Sequence, residues 1–200
     1  MGKTVDYYFA PQSPWAYLGH ARLVALAQAA GADVRVLPTD LGRVFVVSGG
    51  LPLGKRAPQR QAYRLLELRR FADHLAIPLN LQPRYFPVSG DDAARLIIAA
   101  RQALGSLGAL RLAGAVFAAV WAQERNIADS QVLQQLVQEQ GLPAQLLTDA
   151  DSGAVQQEYD DNTAAAIAAG VFGAPTYCVG GELFWGQDRL DFLARRLAHD

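Results

Sequence analysis

One cysteine, Cys178, is all the thiol chemistry that this 200-residue chain carries. A lone cysteine closes no internal disulfide and forms no CxxC redox pair, so disulfide exchange within the chain is excluded. The histidines His20, His74 and His199 are too scattered for metal-ligand spacing, which argues against a structural zinc site. An excess of one charge is missing too. With 18 Lys and Arg against 19 Asp and Glu, the formal net charge is −1, and no basic stripe invites nucleic acid. No apolar run reads as long and uninterrupted enough to span a bilayer, so no membrane partner is expected. The start Met1-Gly2-Lys3-Thr4-Val5-Asp6 is polar where a leader would be apolar. Asp6 also occupies the place where a myristoylation signal needs Ser or Thr. A cytoplasmic location is the expectation.

Hydrophobic residues make up 51% of the chain, ample for the core of one compact domain or two closely joined small ones. Thr4 to Phe9 reads as a strand, and Ser13-Pro14 opens a helix that Gly31 closes. Asp33 to Leu37 reads as a second strand, stopped by Pro38, so the first forty residues spell two parallel strands joined by a crossover helix. Ala, Leu, Gln and Arg then dominate, with helices expected over 59–75, 91–104, 108–124, 129–140, 143–149 and 151–170. The proline-rich segment 80–90 reads as a loop. Thr176–Val179 and Glu182–Trp185 read as strands around Gly180-Gly181, and a last helix follows Asp188. This order predicts an α/β fold, a thioredoxin-like mixed sheet with a large all-helical insertion. The expected division is 1–40 with 171–200 for the sheet domain, and 41–170 for the insertion.

Two places in this layout carry chemistry. At Pro11-Gln12-Ser13-Pro14-Trp15 a strand runs straight into a helix N-terminus, where unpaired N–H groups and the helix dipole attract an anion. Ser13 there either caps its own helix or donates its hydroxyl to a bound thiolate. At Phe172-Gly173-Ala174-Pro175-Thr176 a proline precedes a strand. An ordinary trans bond is the default, whereas a cis bond would turn the Ala174 backbone outward toward a ligand peptide.

The segments Tyr8-Phe9 with Ser13-Pro14-Trp15-Ala16-Tyr17-Leu18, Val171 to Thr176, and Phe184-Trp185-Gly186-Gln187-Asp188-Arg189-Leu190 follow one another in a familiar order. With Asp40-Leu41-Gly42-Arg43-Val44, Gln61-Ala62-Tyr63 and Val116-Phe117 between them, the chain resembles 2-hydroxychromene-2-carboxylate isomerases and kappa-class glutathione transferases from about residue 4 to 197. The resemblance implies a DsbA-like fold, a homodimer, glutathione as cofactor and a small aromatic or chromene-type carboxylate as substrate. It implies that Ser13 replaces the redox cysteine and holds the glutathione sulfur as thiolate. Pro175 is then cis, Ala174 pairs its backbone with the cysteinyl part of glutathione, and Gln187 and Asp188 receive its γ-glutamyl end. Arg60 falls where relatives carry a lysine near the glycyl carboxylate. Gly50 departs from the pattern, since relatives place an asparagine there, and so do Gln12 and the Tyr8-Phe9-Ala10 run. Cys178 reads as a small buried hydrophobe, and Trp15, Trp121 and Trp185 as core or as walls of an aromatic pocket. The alternatives are a kappa-like transferase that releases a conjugate, and a thioredoxin-like binding module with no chemistry of its own.

Overall fold

The computed structural model describes residues 3–199; the Met1-Gly2 start and Asp200 lie outside them. β1 (Thr4–Phe9) and β2 (Asp33–Pro38) are β-branched and aromatic runs joined by α1 (Pro14–Ala30). A helix crossover leaves its two strands parallel, and Val5 faces Val34 while Tyr7 faces Val36. β3 (Thr176–Val179) and β4 (Glu182–Trp185) form a hairpin through Gly180-Gly181, whose φ values of 58° and 86° suit a two-residue turn that glycine adopts freely. β3 lies antiparallel to β1, which gives the order β2-β1-β3-β4. The expected thioredoxin-like mixed sheet is present, with β1 as its buried middle: Val5, Tyr7 and Phe9 are fully buried.

Between β2 and β3 the chain is helical: α2 (Leu41–Ser48), α3 (Pro58–Leu75), α4 (Asp91–Trp121), α5 (Ser130–Glu139), α6 (Gln145–Asp149) and α7 (Gly153–Ala168). α8 (Leu190–Ala198) follows β4 and packs on α1. One cluster of buried side chains runs from β1 and α1 through α4 to α5 and α6, so the sheet and the helical block share a core.

α4 is the spine of that core, resting on β2 and α1 on one side and on α5, α6 and α7 on the other. By length and composition it is apolar enough to cross a membrane, which corrects the expectation that no stretch is. A helix packed by neighbours on several sides is apolar for the same reason. Gly105 interrupts it with φ 72° and ψ −172°, a backbone closed to other residues, so two helical segments meet at a kink where the sequence predicts two helices.

One helix departs from the expected set. α2 was not foreseen, because Gly42, Val44, Phe45, Val46 and Val47 are poor helix formers. It holds because the Asp40 carboxylate accepts from the Gly42 and Arg43 N–H groups at 2.8 and 3.3 Å, while Val44 is buried under α7. Asp91 is a first-turn residue of α4, and its carboxylate accepts from Ser89 and Tyr159 hydroxyls, each at 3.1 Å.

Candidate functional site

Past Phe9 the chain turns at once, with the Ser13 N–H donating to the Ala10 carbonyl at 2.9 Å. Ser13 keeps an extended backbone, and its Oγ accepts from the Ala16 N–H at 3.2 Å, so it caps α1 with Pro14 at the first helical position. A hydroxyl has two lone pairs and one proton, and capping uses a lone pair. Among the described residues Ser13 donates that proton to none, and its side chain is buried in the turn. The two sequence readings of Ser13, cap and donor, are therefore compatible in one side chain. Pro14 has no N–H and the Ala16 N–H is taken by Ser13, so the helix start offers the Trp15 N–H, unpartnered among the described residues, and the positive end of a 17-residue dipole.

The Ala174–Pro175 peptide bond is cis, as the resemblance implies. β1 and β3 pair as Asp6–Cys178, Tyr7–Tyr177 and Tyr8–Thr176, which leaves Pro175 just beyond the ladder, beside the end of β1 that leads to Ser13. The Gly186 N–H donates to the Pro175 carbonyl at 2.9 Å and ties the short 3₁₀ turn Gln187–Arg189 to the same end of the sheet. Three segments distant in sequence thus bring Ser13, Ala174, Pro175, Gln187 and Asp188 together where β1 ends, the end of an α/β sheet at which ligands dock.

The structure separates the Gln187–Asp188 pair. Gln187 is buried and turned toward α1, where Arg22 donates to both its amide oxygen and its carbonyl at 3.1 Å. Its amide nitrogen is buried without a partner among the described residues. Gly19 makes this inward packing possible, since a Cβ there would stand 2.7 Å from the Tyr177 hydroxyl and 2.9 Å from the Gln187 Cβ. Asp188 faces outward, paired with Arg189 at 2.8 Å. Arg60 is exposed in the first turn of α3 and makes no ion pair among the described residues.

Behind α1 lies a polar chain through the core. The buried His20 bonds the Leu110 carbonyl through Nε2 at 2.9 Å and meets the Tyr7 hydroxyl through Nδ1 at 3.5 Å. Burial lowers its pKa to about 4, so the ring is neutral at physiological pH. Burial also raises Tyr7 and Tyr177, whose rings stack at 5.5 Å. Cys178 is buried, and burial pushes its thiol up, the opposite of what a nucleophile needs. Among the described residues no group of His, Cys, Asp and Glu could hold a metal.

The family model of the DSBA-like thioredoxin domain matches residues 4–198. A 2-hydroxychromene-2-carboxylate isomerase of Pseudomonas sp. (strain C18) is 36% identical over 197 residues, covering 94% of this chain and 87% of its own length. One of Sphingobium xenophagum is 31% identical over 195 residues, covering 96% and 97%. The chain belongs to the 2-hydroxychromene-2-carboxylate isomerase family. A solved structure of such an isomerase superposes with a TM-score of 0.80 at 30% identity, covering 98% of this chain and 95% of its own. These relatives support an enzyme of the isomerase class.

Within that family, Gly50 has a local explanation. A Cβ at Gly50 would collide with the Phe45 ring, so phenylalanine occupies the space that a side chain at 50 would need. The Arg56 guanidinium lies over the same ring at 5.9 Å and donates to the Leu51 carbonyl at 2.7 Å. The tryptophans divide as well: Trp121 is fully buried, Trp15 is half-buried against Phe71, and Trp185 is 51% exposed, packed at a tilt on Phe172 at 4.7 Å beside the Pro175 loop.

Sequence reasoning missed Arg56 and Arg64. With Arg60 they recur every four residues along one face of α3 and the turn before it, and none of the three makes an ion pair among the described residues. That spacing, free of an acid at the matching positions, was the available signal.

Proposed function

We propose that this isomerase-family enzyme is glutathione-dependent and acts on a 2-hydroxychromene-2-carboxylate-type substrate, interconverting it with a ring-opened trans isomer. The observation that carries the reading is the buried Ser13 hydroxyl, capping α1 with its oxygen and holding its proton uncommitted at a helix N-terminus. Glutathione, when bound, supplies a thiolate that adds to an activated double bond and later leaves, freeing rotation about the bond in between and emerging unchanged.

The chain's residues fit that cofactor. Ser13 donates to the sulfur and favours its ionised form over the thiol, and the helix dipole acts in the same direction. A leaving thiolate also needs a pKa near the working pH, which this pair of effects provides. Ala174 and Pro175 present the backbone at which the cysteinyl part aligns. Asp188, outward-facing, meets the γ-glutamyl ammonium after exchanging its exposed Arg189 partner. Gln187, committed to Arg22, places that turn and contributes its side chain from beneath. Arg60 receives the glycyl carboxylate, where its planar fork suits a bidentate pair. Trp185 and Phe172, both partly exposed, offer apolar aromatic surface to the substrate. We further infer a homodimer, for which the exposed Val46 and Val47 on α2 supply apolar contact.

The test is a spectrophotometric isomerisation assay on 2-hydroxychromene-2-carboxylate with and without millimolar glutathione. Turnover that requires glutathione and regenerates it supports the reading. Accumulation of a stable glutathione conjugate would make the enzyme a transferase, and binding without turnover would leave a non-catalytic module.

A further inference from the structure

We propose that Arg64, lying beside the packed Phe86 and Trp121 rings, receives the carboxylate of the aromatic substrate, with Arg56 adding to the positive field there. The proposal rests on the function proposed above and assigns the substrate's own anchor, separate from every residue given to glutathione.

Arg64 is a half-buried guanidinium with no acid to meet it. It makes no hydrogen bond or ion pair among the described residues, although Glu67 stands one turn away, engaged by Arg70 at 2.6 Å. Its guanidinium carbon lies 5.3 Å from the centre of the Phe86 ring and 5.7 Å from that of Trp121. The two rings stand 4.8 Å apart. Burial lowers its pKa to about 10, and Arg56 adds repulsion in the same direction. A charge kept partly out of water without a counter-ion is costly, and folded proteins pair such charges unless a ligand does so. A guanidinium over an aromatic face spends no N–H group on it, so its fork stays free to grip a carboxylate bidentately. Trp121 is buried behind, and the partly exposed Phe86 ring is the apolar surface beside the cation that a flat bicyclic acid would meet.

The position fits the Ser13 site. The loop that carries Phe86 is anchored to Trp121 by the Asn80 N–H, which donates to the Trp121 carbonyl at 2.7 Å. It ends at Gly90, whose missing Cβ leaves room for the Gln12 side chain, next to Ser13. Phe86 and Gly90 are four steps apart along the chain, a span of at most about 14 Å when fully extended. α3 itself reaches the start of α1 through the edge-to-face pair Trp15–Phe71, two turns beyond Arg64. An aromatic acid lying from Arg64 toward Ser13 would have its carboxylate on the cation and its reactive carbons toward the thiolate.

Two unreactive probes test this by calorimetric titration of the full chain at neutral pH: chromone-2-carboxylate and its neutral carboxamide. A charge-assisted pair in a partly desolvated site corresponds to roughly a 10- to 100-fold preference for the carboxylate. Arg64→Gln is expected to reduce that preference to less than about twofold, Arg64→Lys to restore part of it, and S-methylglutathione affinity to stay unchanged in both. Thermal unfolding distinguishes a binding residue from packing glue. Removing an unpaired charge leaves the midpoint of Arg64→Gln at or above that of the wild type, whereas a purely packing role lowers it and leaves the preference intact. The proposal is overturned if the wild type shows no preference, if Arg64→Gln retains it, or if the loss falls on S-methylglutathione. A carboxylate preference that depends on Arg64 upholds the subsite even if the isomerisation assay finds no turnover.

Discussion

His20 makes the stability of this fold depend on pH in a calculable way. Its ring is neutral in the folded state because burial lowers its pKa to about 4, while an unfolded histidine titrates near 6.5. Between those values the unfolded chain binds a proton that the folded chain refuses, so stability falls as pH falls. The contribution is fully present above about pH 6.5 and fades with acidification through about pH 4. At pH 5 linkage gives a loss of about 2 kcal/mol, rising toward about 3 kcal/mol once both states are protonated. Urea unfolding at pH 7.5, 6 and 5, followed by tryptophan fluorescence, measures this directly. His20→Gln is less stable than the wild type at pH 7.5, because it disturbs the bonds to Leu110 and Tyr7, but the gap closes by about 2 kcal/mol at pH 5. Parallel pH profiles for the two proteins would refute the assignment of a buried neutral ring.

Two further substitutions probe close approaches. Gly19→Ala drives a methyl to 2.7 Å from the Tyr177 hydroxyl and 2.9 Å from Gln187, so it should cost about 1–3 kcal/mol in denaturant unfolding and weaken glutathione affinity by shifting the Asp188 turn. Gly50→Asn, the residue that the resemblance leads one to expect there, must expel the Phe45 ring and with it the seat of Arg56. A loss of about 1–2 kcal/mol is expected, and an unchanged midpoint would show that Phe45 swings aside freely.

The strands were legible because each is a short β-branched or aromatic run closed by proline or glycine, and Gly105-Ser106 announced the kink in α4. α2 was not, since its stability comes from the Asp40 cap and from Val44 under α7 rather than from propensity. The split of domains at 40 and 171 reads naturally from composition, yet α4 ties both parts into one core, a relation no local pattern carries. Ser13 and Pro175 stood out because each sits at a junction of elements. The inward turn of Gln187 did not, because it depends on Arg22 and on the gap at Gly19, far away in sequence. Arg64 looks like any helix arginine until the fold sets it beside Phe86 and Trp121, distant in sequence.

The central claim is that Ser13 holds glutathione as a thiolate at the start of α1. Its most direct test is the ultraviolet difference spectrum of glutathione added to the wild type and to Ser13→Ala, recorded from pH 5 to 9. A thiolate band is expected in the wild-type complex at neutral pH, well below the ordinary thiol range, with a shift toward that range in Ser13→Ala alongside a loss of about 1 kcal/mol of stability from the missing cap. An identical thiolate band in Ser13→Ala, with only the stability lost, would contradict the claim and leave Ser13 a cap.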